Sequence, residues 1–207
     1  MTGSTEAAAF GYGDFTFSWG DHICAFFDDR EQQMEIMVPF MAQGIRAHQR
    51  CVWVGTEPSC RLFRESFVAA GADLQTLEVS GQLVILSEIE FYLKDGLFEP
   101  SRTLELGRRL RLDGQAHGYS TMRITTDMPA DEHLGIDPET WELYEAQVTR
   151  VMVGTPTVAV CQYQRKHTPS AIVFAALRTH PFVILDGAVH ENPFVSEQPG
   201  AAAPPLI

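Results

Sequence analysis

The chain has 207 residues, 45% of them hydrophobic, and its 27 acidic against 15 basic residues give a net charge of −12. That length suits one domain with a sizeable core. The charge argues against direct nucleic-acid binding, which needs a basic face to displace counterions, and against an anionic membrane surface.

No apolar run approaches the roughly 18 residues of a spanning helix. The N-terminus, MTGSTEAAAFGYGDF, lacks the basic-then-apolar layout of a secretory signal, so a cytoplasmic location is expected. The cysteines at 24, 51, 60 and 161 are not spaced as a disulfide framework, and buried reduced thiols are the plain expectation for them. Residues 1–18 read as an N-terminal segment whose first ten residues are expected to be mobile, its aromatics tying the later part to the domain. Residues 19–195 read as the domain and 196–207 as a disordered tail.

In chain order, His22 to Phe27 is a short apolar run that predicts a strand. Met34, Met37, Val38, Met41 and Ile45 then recur at spacings of three and four, the mark of an amphipathic helix. Asp28 or Asp29 can cap that helix, and Gly44 within it costs ~1 kcal/mol against Ala, which points to close packing. Cys51 to Gly55 is a second strand. A helix follows from Thr56 to about Ala70, with Leu62, Phe63 and Phe67 inward and Gly71 as its stop. Leu77 to Val79 reads as a short strand and Leu83 to Leu86 as a clearer one. The segment SEIEFYLKDGLFEPSR then reads as a lid or packed loop. Ser101 can cap a helix that runs to about His117, where Arg108, Arg109 and Arg111 form a solvated basic face. Thr121 to Thr126 is a β-branched strand. Pro138 starts a helix to about Met152, with Trp141, Tyr144, Val148 and Val151 inward. Thr157 to Tyr163 is an apolar strand, Ala171 to Thr179 a short helix, and Phe182 to His190 a terminal hairpin turning at Asp186-Gly187.

Alternating strands and helices predict an α/β fold in three layers, a mostly parallel sheet with helices on both faces. In such sheets ligands bind beyond the carboxyl ends of the strands. The first strand-to-helix turn, Phe26-Phe27-Asp28-Asp29-Arg30-Glu31, has neither the glycines nor the lysine of a phosphate-binding loop. ATP is therefore not expected as a cofactor.

HICAFF, VPFMAQGI, GQLVIL with FYLKDGLFEP, GYSTMRITTDM, LYEAQV, VCQY and THPFVILDGAVHENPF resemble, in order, the MEDS domain of methanogen and methylotroph proteins and of the dichloromethane-responsive repressor. The resemblance runs from about Asp21 to Phe194. It implies a degenerate relative of the RecA/KaiC-type ATPase fold that has lost its phosphate loop. It also implies a sensory domain for a small organic, hydrocarbon-derived ligand, often joined to a DNA-binding or histidine-kinase-like output module. This chain departs from that arrangement, and its output is expected through a separate regulatory or kinase-like protein or through a homodimer.

Three constellations follow. His22, Cys24, Cys161 and His180 fall on strands or at a strand start, and two Cys with two His can hold zinc or iron. Core packing is the plain alternative. Glu57, Asp127, Gln162 and Tyr163 fall at strand ends, with Arg30 and Arg123 nearby in the pattern. By the resemblance, Glu57 and Asp127 stand where the ATPases keep a catalytic Glu and a magnesium-holding Asp, here reused as a helix cap or as partners of Arg123. Phe26, Phe27, Tyr92 and Met128 fall at the same edge, where an apolar pocket would lie. Two alternatives to a sensor are an interaction module of a partner-switching system and an enzyme using Glu57, Asp127 or Cys161.

Overall fold

The computed structural model describes residues 7–128 and 136–195. The expected disordered tail from Ser196, and the first six of the ten residues expected to be mobile, fall outside those residues. Residues 8 to 17 are held in place. Strands β1 (Ala8–Ala9) and β2 (Thr16–Phe17) pair antiparallel, and Phe10 and Phe17 are buried.

The central sheet begins with β3 (His22–Phe27). It continues through β4 (Arg50–Gly55), β5 (Leu83–Ser87), β8 (Met122–Asp127), β9 (Thr157–Gln164), β10 (Phe182–Leu185) and β11 (Ala188–Glu191). Their spatial order is β11-β10-β3-β9-β8-β4-β5. All neighbours are parallel except β10 and β11, which form the expected terminal hairpin. On one face lie α1 (Arg30–Arg46), α2 (Glu57–Ala69) and α3 (Leu74–Val79). On the other lie α4 (Glu88–Tyr92), α5 (Pro100–Ala116), α6 (Pro138–Met152) and α7 (Ser170–Thr179). Both faces being covered, the strands read as continuous apolar runs, and all six residues of β3 and of β4 are buried. Side chains alternate between the layers. Ile23, Ala25 and Phe27 join the α1–α2 core, while Cys24 and Phe26 join the α6–α7 core.

Local chemistry sets the helix starts. Asp29 caps α1 by accepting from the Gln32 amide, Thr56 caps α2, and Asp137 caps α6. Four expectations differ from what forms. Residues 77–79 belong to helix α3, because Asp73 accepts from both the amide and the hydroxyl of Thr76 and so starts a helical turn. The stretch after Ser87 is ordered rather than a loop. A Ser87/Glu90 capping box starts α4, and a two-stranded hairpin follows, β6 (Leu93–Lys94) with β7 (Leu97–Phe98), turning on Asp95 and Gly96, both at positive φ. Helix α5 starts at Pro100, so Ser101 lies inside it instead of capping it. Val151 is half-exposed rather than inward.

Arg123 leaves the sheet toward α1 and the N-terminal segment. Buried, it donates to Gln49 Oε1 at 2.6 Å and to the carbonyls of Phe10, Ala9 and Phe40 at 2.7, 2.7 and 3.0 Å. It is therefore not a partner of Glu57 or Asp127. Gly44 opens the path for it. A Cβ at that position would come 2.5 Å from Cys51 Sγ and 2.8 Å from Arg123 Cδ.

Gly44→Ala is expected to destabilise by about 1–3 kcal/mol in chemical denaturation, overpacking outweighing the helix-propensity gain. Gly107→Ala, where a Cβ would meet nothing within 4 Å in α5, is expected to stabilise by about 0.5–1 kcal/mol. Equal effects of the two would show that packing at Gly44 does not decide the sign.

Candidate functional site

The strand ends, where a ligand was expected, are filled by side chains that satisfy one another. Arg30 pairs with the buried carboxylate of Asp127 and donates to Gln33 Oε1 at 2.7 Å. Gln33 Nε2 donates to Gln162 Oε1 at 2.7 Å, and Gln162 Nε2 to Thr125 Oγ1 at 2.7 Å, with both glutamines buried. Burial pushes the Asp127 carboxyl up, with Arg30 pulling the other way. Phe27 lies in the α1–α2 core, and Glu57 is an exposed first residue of α2. Phe26 stacks on Tyr163 in the opposite layer, with ring centroids 5.4 Å apart.

Among the described residues, one apolar cavity of about 560 Å³ runs from Phe26 past Val183 and Leu185 to the C-terminal hairpin, and another lies between α5 and α6 over the face formed by β8 and β9. The second measures about 360 Å³, within the roughly 300–1,000 Å³ of small-molecule sites. Leu104 of α5, Met122 and Ile124 of β8, Val148 and Met152 of α6 and Ala159 of β9 supply its apolar walls. Thr157, Ala159 and Cys161 line it at every second residue of β9, a run of roughly 13 Å at ~3.3 Å per residue. Polar groups mark the two ends of that run, and Ser101, Thr103, Glu105, Arg108 and Arg111 of α5 with Gln147 of α6 line the cavity from the helix side. The Thr157 hydroxyl is buried and has no hydrogen-bond partner, while Glu145 and Cys161 lie at the other end. Of the expected site residues, Tyr92 and Cys161 border this cavity. Tyr92 OH donates to Met128 Sδ at 3.2 Å.

Beyond the cavity wall, His22, Glu145, Cys161 and His180 converge with their donor atoms within 4.8 Å of one another, all buried. His22 Nε2 is 3.2 Å from Cys161 Sγ and 3.4 Å from Glu145 Oε2, and His180 Nε2 is 3.6 Å from the same carboxyl oxygen. Three members of the expected His/Cys set are thus brought together, and Cys24 is not. Cys24 sits beside Cys161 in register, but its thiol turns to the Phe182 carbonyl at 3.6 Å. Glu145 takes the fourth place. Its signal in the sequence was its position on the inward stripe of α6, one residue after Tyr144 and four after Trp141.

Burial dominates the electrostatics here. It pushes the Glu145 carboxyl up to about 8, although Tyr163 OH donates to its Oε1 at 3.1 Å and opposes the shift. Burial likewise raises the Cys161 thiol and lowers both imidazoles, His180 to about 4. Each group therefore rests in its neutral form. Two imidazoles, a thiol and a carboxyl are donor types that suit a transition metal.

A family model described as the MEthanogen/methylotroph, DcmR Sensory domain matches residues 21–181. The chain belongs to the MEDS family. The transcriptional repressor DcmR of Methylorubrum extorquens is 24% identical over 170 residues, which is 79% of this chain and 59% of the repressor. The chain thus spans well under two thirds of that relative. Among solved structures, the flagellar accessory protein FlaH of Methanocaldococcus jannaschii matches with a TM-score of 0.55 at 11% identity, over 82% of this chain and 75% of that one. That likeness bears on the fold, and it agrees with a RecA-like architecture for this MEDS domain. No helix among the described residues is long and apolar enough to cross a membrane.

Gln33→Leu leaves Gln162 Oε1 unpaired in a buried place and is expected to cost about 1–3 kcal/mol. Adding Gln162→Leu should recover part of that loss in urea unfolding. A double variant no more stable than the additive sum would show that the two amides are not coupled.

Proposed function

We propose that this MEDS domain is a sensor that binds a small apolar organic molecule, a hydrocarbon derivative, in the cavity between α5 and α6. The cavity itself carries the reading. Its lining over β8 and β9 is largely apolar, its volume suits a ligand, and Thr157 at one end with Glu145 and Cys161 at the other offer polar groups, an arrangement that suits an apolar body with a polar or polarisable terminus. Membership in a sensory family and the distant likeness to a repressor support a regulatory role. The strand-end network and the glycine-free turn between β3 and α1 leave no cradle of backbone amides for a phosphate, which weighs against a nucleotide as the sensed molecule.

Signalling requires that the ligand prefer one arrangement of the protein over another. Helix α5 is the wall best suited to respond. It has no side-chain cap, and its only buried residues are Thr103 and Gly114. A ligand that fills the cavity would dock α5 more firmly, and a separate regulatory protein or a second copy of the chain would read its outer face.

Toluene and 1-hexanol serve as probes. At a hundred times Kd a ligand adds ~2.7 kcal/mol, which for a chain of this size is a rise of roughly 5–11 °C in Tm. Leu104→Trp, which fills the cavity from the α5 side, should abolish the rise and keep the fold. Hydrogen exchange should slow in α5 on binding. No shift in the wild type with either probe, or the same shift in Leu104→Trp, rules the reading out.

A further inference from the structure

We propose that His22 Nε2, Glu145 Oε2, Cys161 Sγ and His180 Nε2 hold one divalent transition-metal ion, zinc(II) or iron(II), at the end of the cavity where Glu145 and Cys161 meet. The hydrogen bonds around the cluster have already chosen its ligand atoms. Thr149 donates its hydroxyl proton to the Thr179 carbonyl at 2.6 Å, so the His22 Nδ1 that meets this hydroxyl at 2.8 Å must be a donor. His180 Nδ1 donates to the Ala176 carbonyl at 2.9 Å. Both Nε2 atoms therefore present bare lone pairs, and the two rings lie with centroids 3.9 Å apart. Backbone and hydroxyl bonds of this kind are what orient histidines at metal sites.

The carboxyl is divided in the same way. Tyr163 holds Glu145 Oε1 at 3.1 Å, and Oε2 alone faces the other three groups. Four of the six separations among the donors, 3.2, 3.4, 3.6 and 3.9 Å, bracket the edges of roughly 3.3–3.5 Å that bonds of ~2.0 Å to nitrogen or oxygen and ~2.3 Å to sulfur give a tetrahedron, and all six lie within 4.8 Å.

A purely structural cluster answers less well. His180 Nε2 is fully buried and has no hydrogen-bond partner, a loss that an ion at the centre removes. Charge selects the ion. Entry of M²⁺ sends the thiol proton and the carboxyl proton to solvent, so a +2 ion meets one thiolate and one carboxylate. The site is then neutral in a dry interior, where net charge is costly. Sulfur and imidazole ligands favour zinc(II) or iron(II) over magnesium or calcium.

The test uses the full chain, reduced, stripped by a chelator under anaerobic conditions and titrated with cobalt(II). One equivalent should bring a near-ultraviolet thiolate-to-cobalt band together with four-coordinate visible bands, and zinc(II) should bleach both. Cys161→Ser should remove the near-ultraviolet band, while Cys24→Ser keeps it. Glu145→Gln is nearly isosteric and keeps the test decisive should Cys161→Ser not fold. It should weaken cobalt binding at least tenfold. Absence of the thiolate band in the wild type, its persistence in Cys161→Ser, or unchanged affinity in Glu145→Gln overturns the site. Leu104→Trp lies on the opposite wall and should leave the cobalt spectrum intact, so failure of the cavity reading and failure of the metal site are told apart.

Discussion

A carboxyl group with no water to face must find its partners inside the fold, and Glu145 is in that position. It is 1% exposed and meets two imidazoles, a thiol and a phenol. Those four groups come from three places in the chain: His22 from the first strand of the central sheet, Cys161 and Tyr163 from β9, and His180 from the end of α7. For Glu145 to be satisfied, α6 must sit over β3 and β9 in one rotation and at one height. The packing of α6 along α7, and the line of aromatic rings from Tyr92 through Trp141 to Tyr144, follow from the same placement. An apolar residue at this position would pack with less cost and would specify less.

The two faces of the sheet divide the work. Amides and ion pairs, Arg30 with Asp127 and Arg165 with Asp28 and Asp186, close the carboxyl ends of the strands, and on the α1–α2 side Arg123 ties the N-terminal segment to the middle of the sheet. On the α5–α6 side, the core is left incomplete over β8 and β9. Ligands in open α/β sheets are expected beyond the strand tips. That rule presumes the tips are free to take a ligand. Here Gln33, Gln162 and Thr125 consume each other's hydrogen-bonding capacity, and the space moves to the face of the sheet.

Much of this was legible in the residues, and the boundary between what was and was not has physical causes. Helix α1 declared itself through Met34, Met37, Val38 and Met41, and the close approach at Gly44 through a residue that helices otherwise avoid. The covered sheet was legible in strands that are apolar on both sides. Alternation along β3 placed His22 and Cys24 on one face, but a face is wider than a site. Which of the two turns toward Cys161 depends on a backbone carbonyl of β10 that alternation does not see. Glu145 was hidden because a glutamate on an amphipathic helix is ordinarily read as solvated, even when its place on the stripe points inward. The segment 77–79 was misread because a short apolar run suits strand and helix alike, and the capping by Asp73 decided it. The cavity had no signature in sequence, since it arises from a distance between two helices that each look ordinary.

Helix α5 has a further property that follows from how it is fastened. Near its start, Thr103 is buried and Arg102 donates to the carbonyls of Glu90 and Phe91. Near its end, Gly114 lies against the stem of Arg50, whose head pairs with Asp113 at 2.6 Å. Between these two fastenings the helix crosses the cavity, with Leu104, Leu106 and Leu110 only partly buried against the core. It is a beam clamped at both ends and thinly supported at mid-span, and such a beam bows first in the middle. At mid-span, on the rim of the cavity, Glu105 holds Arg108 and Arg109 in one compact ion-pair group. A deflection driven from within would tilt that charged group as a unit, turning a change in the volume below into a change in the direction of charge above.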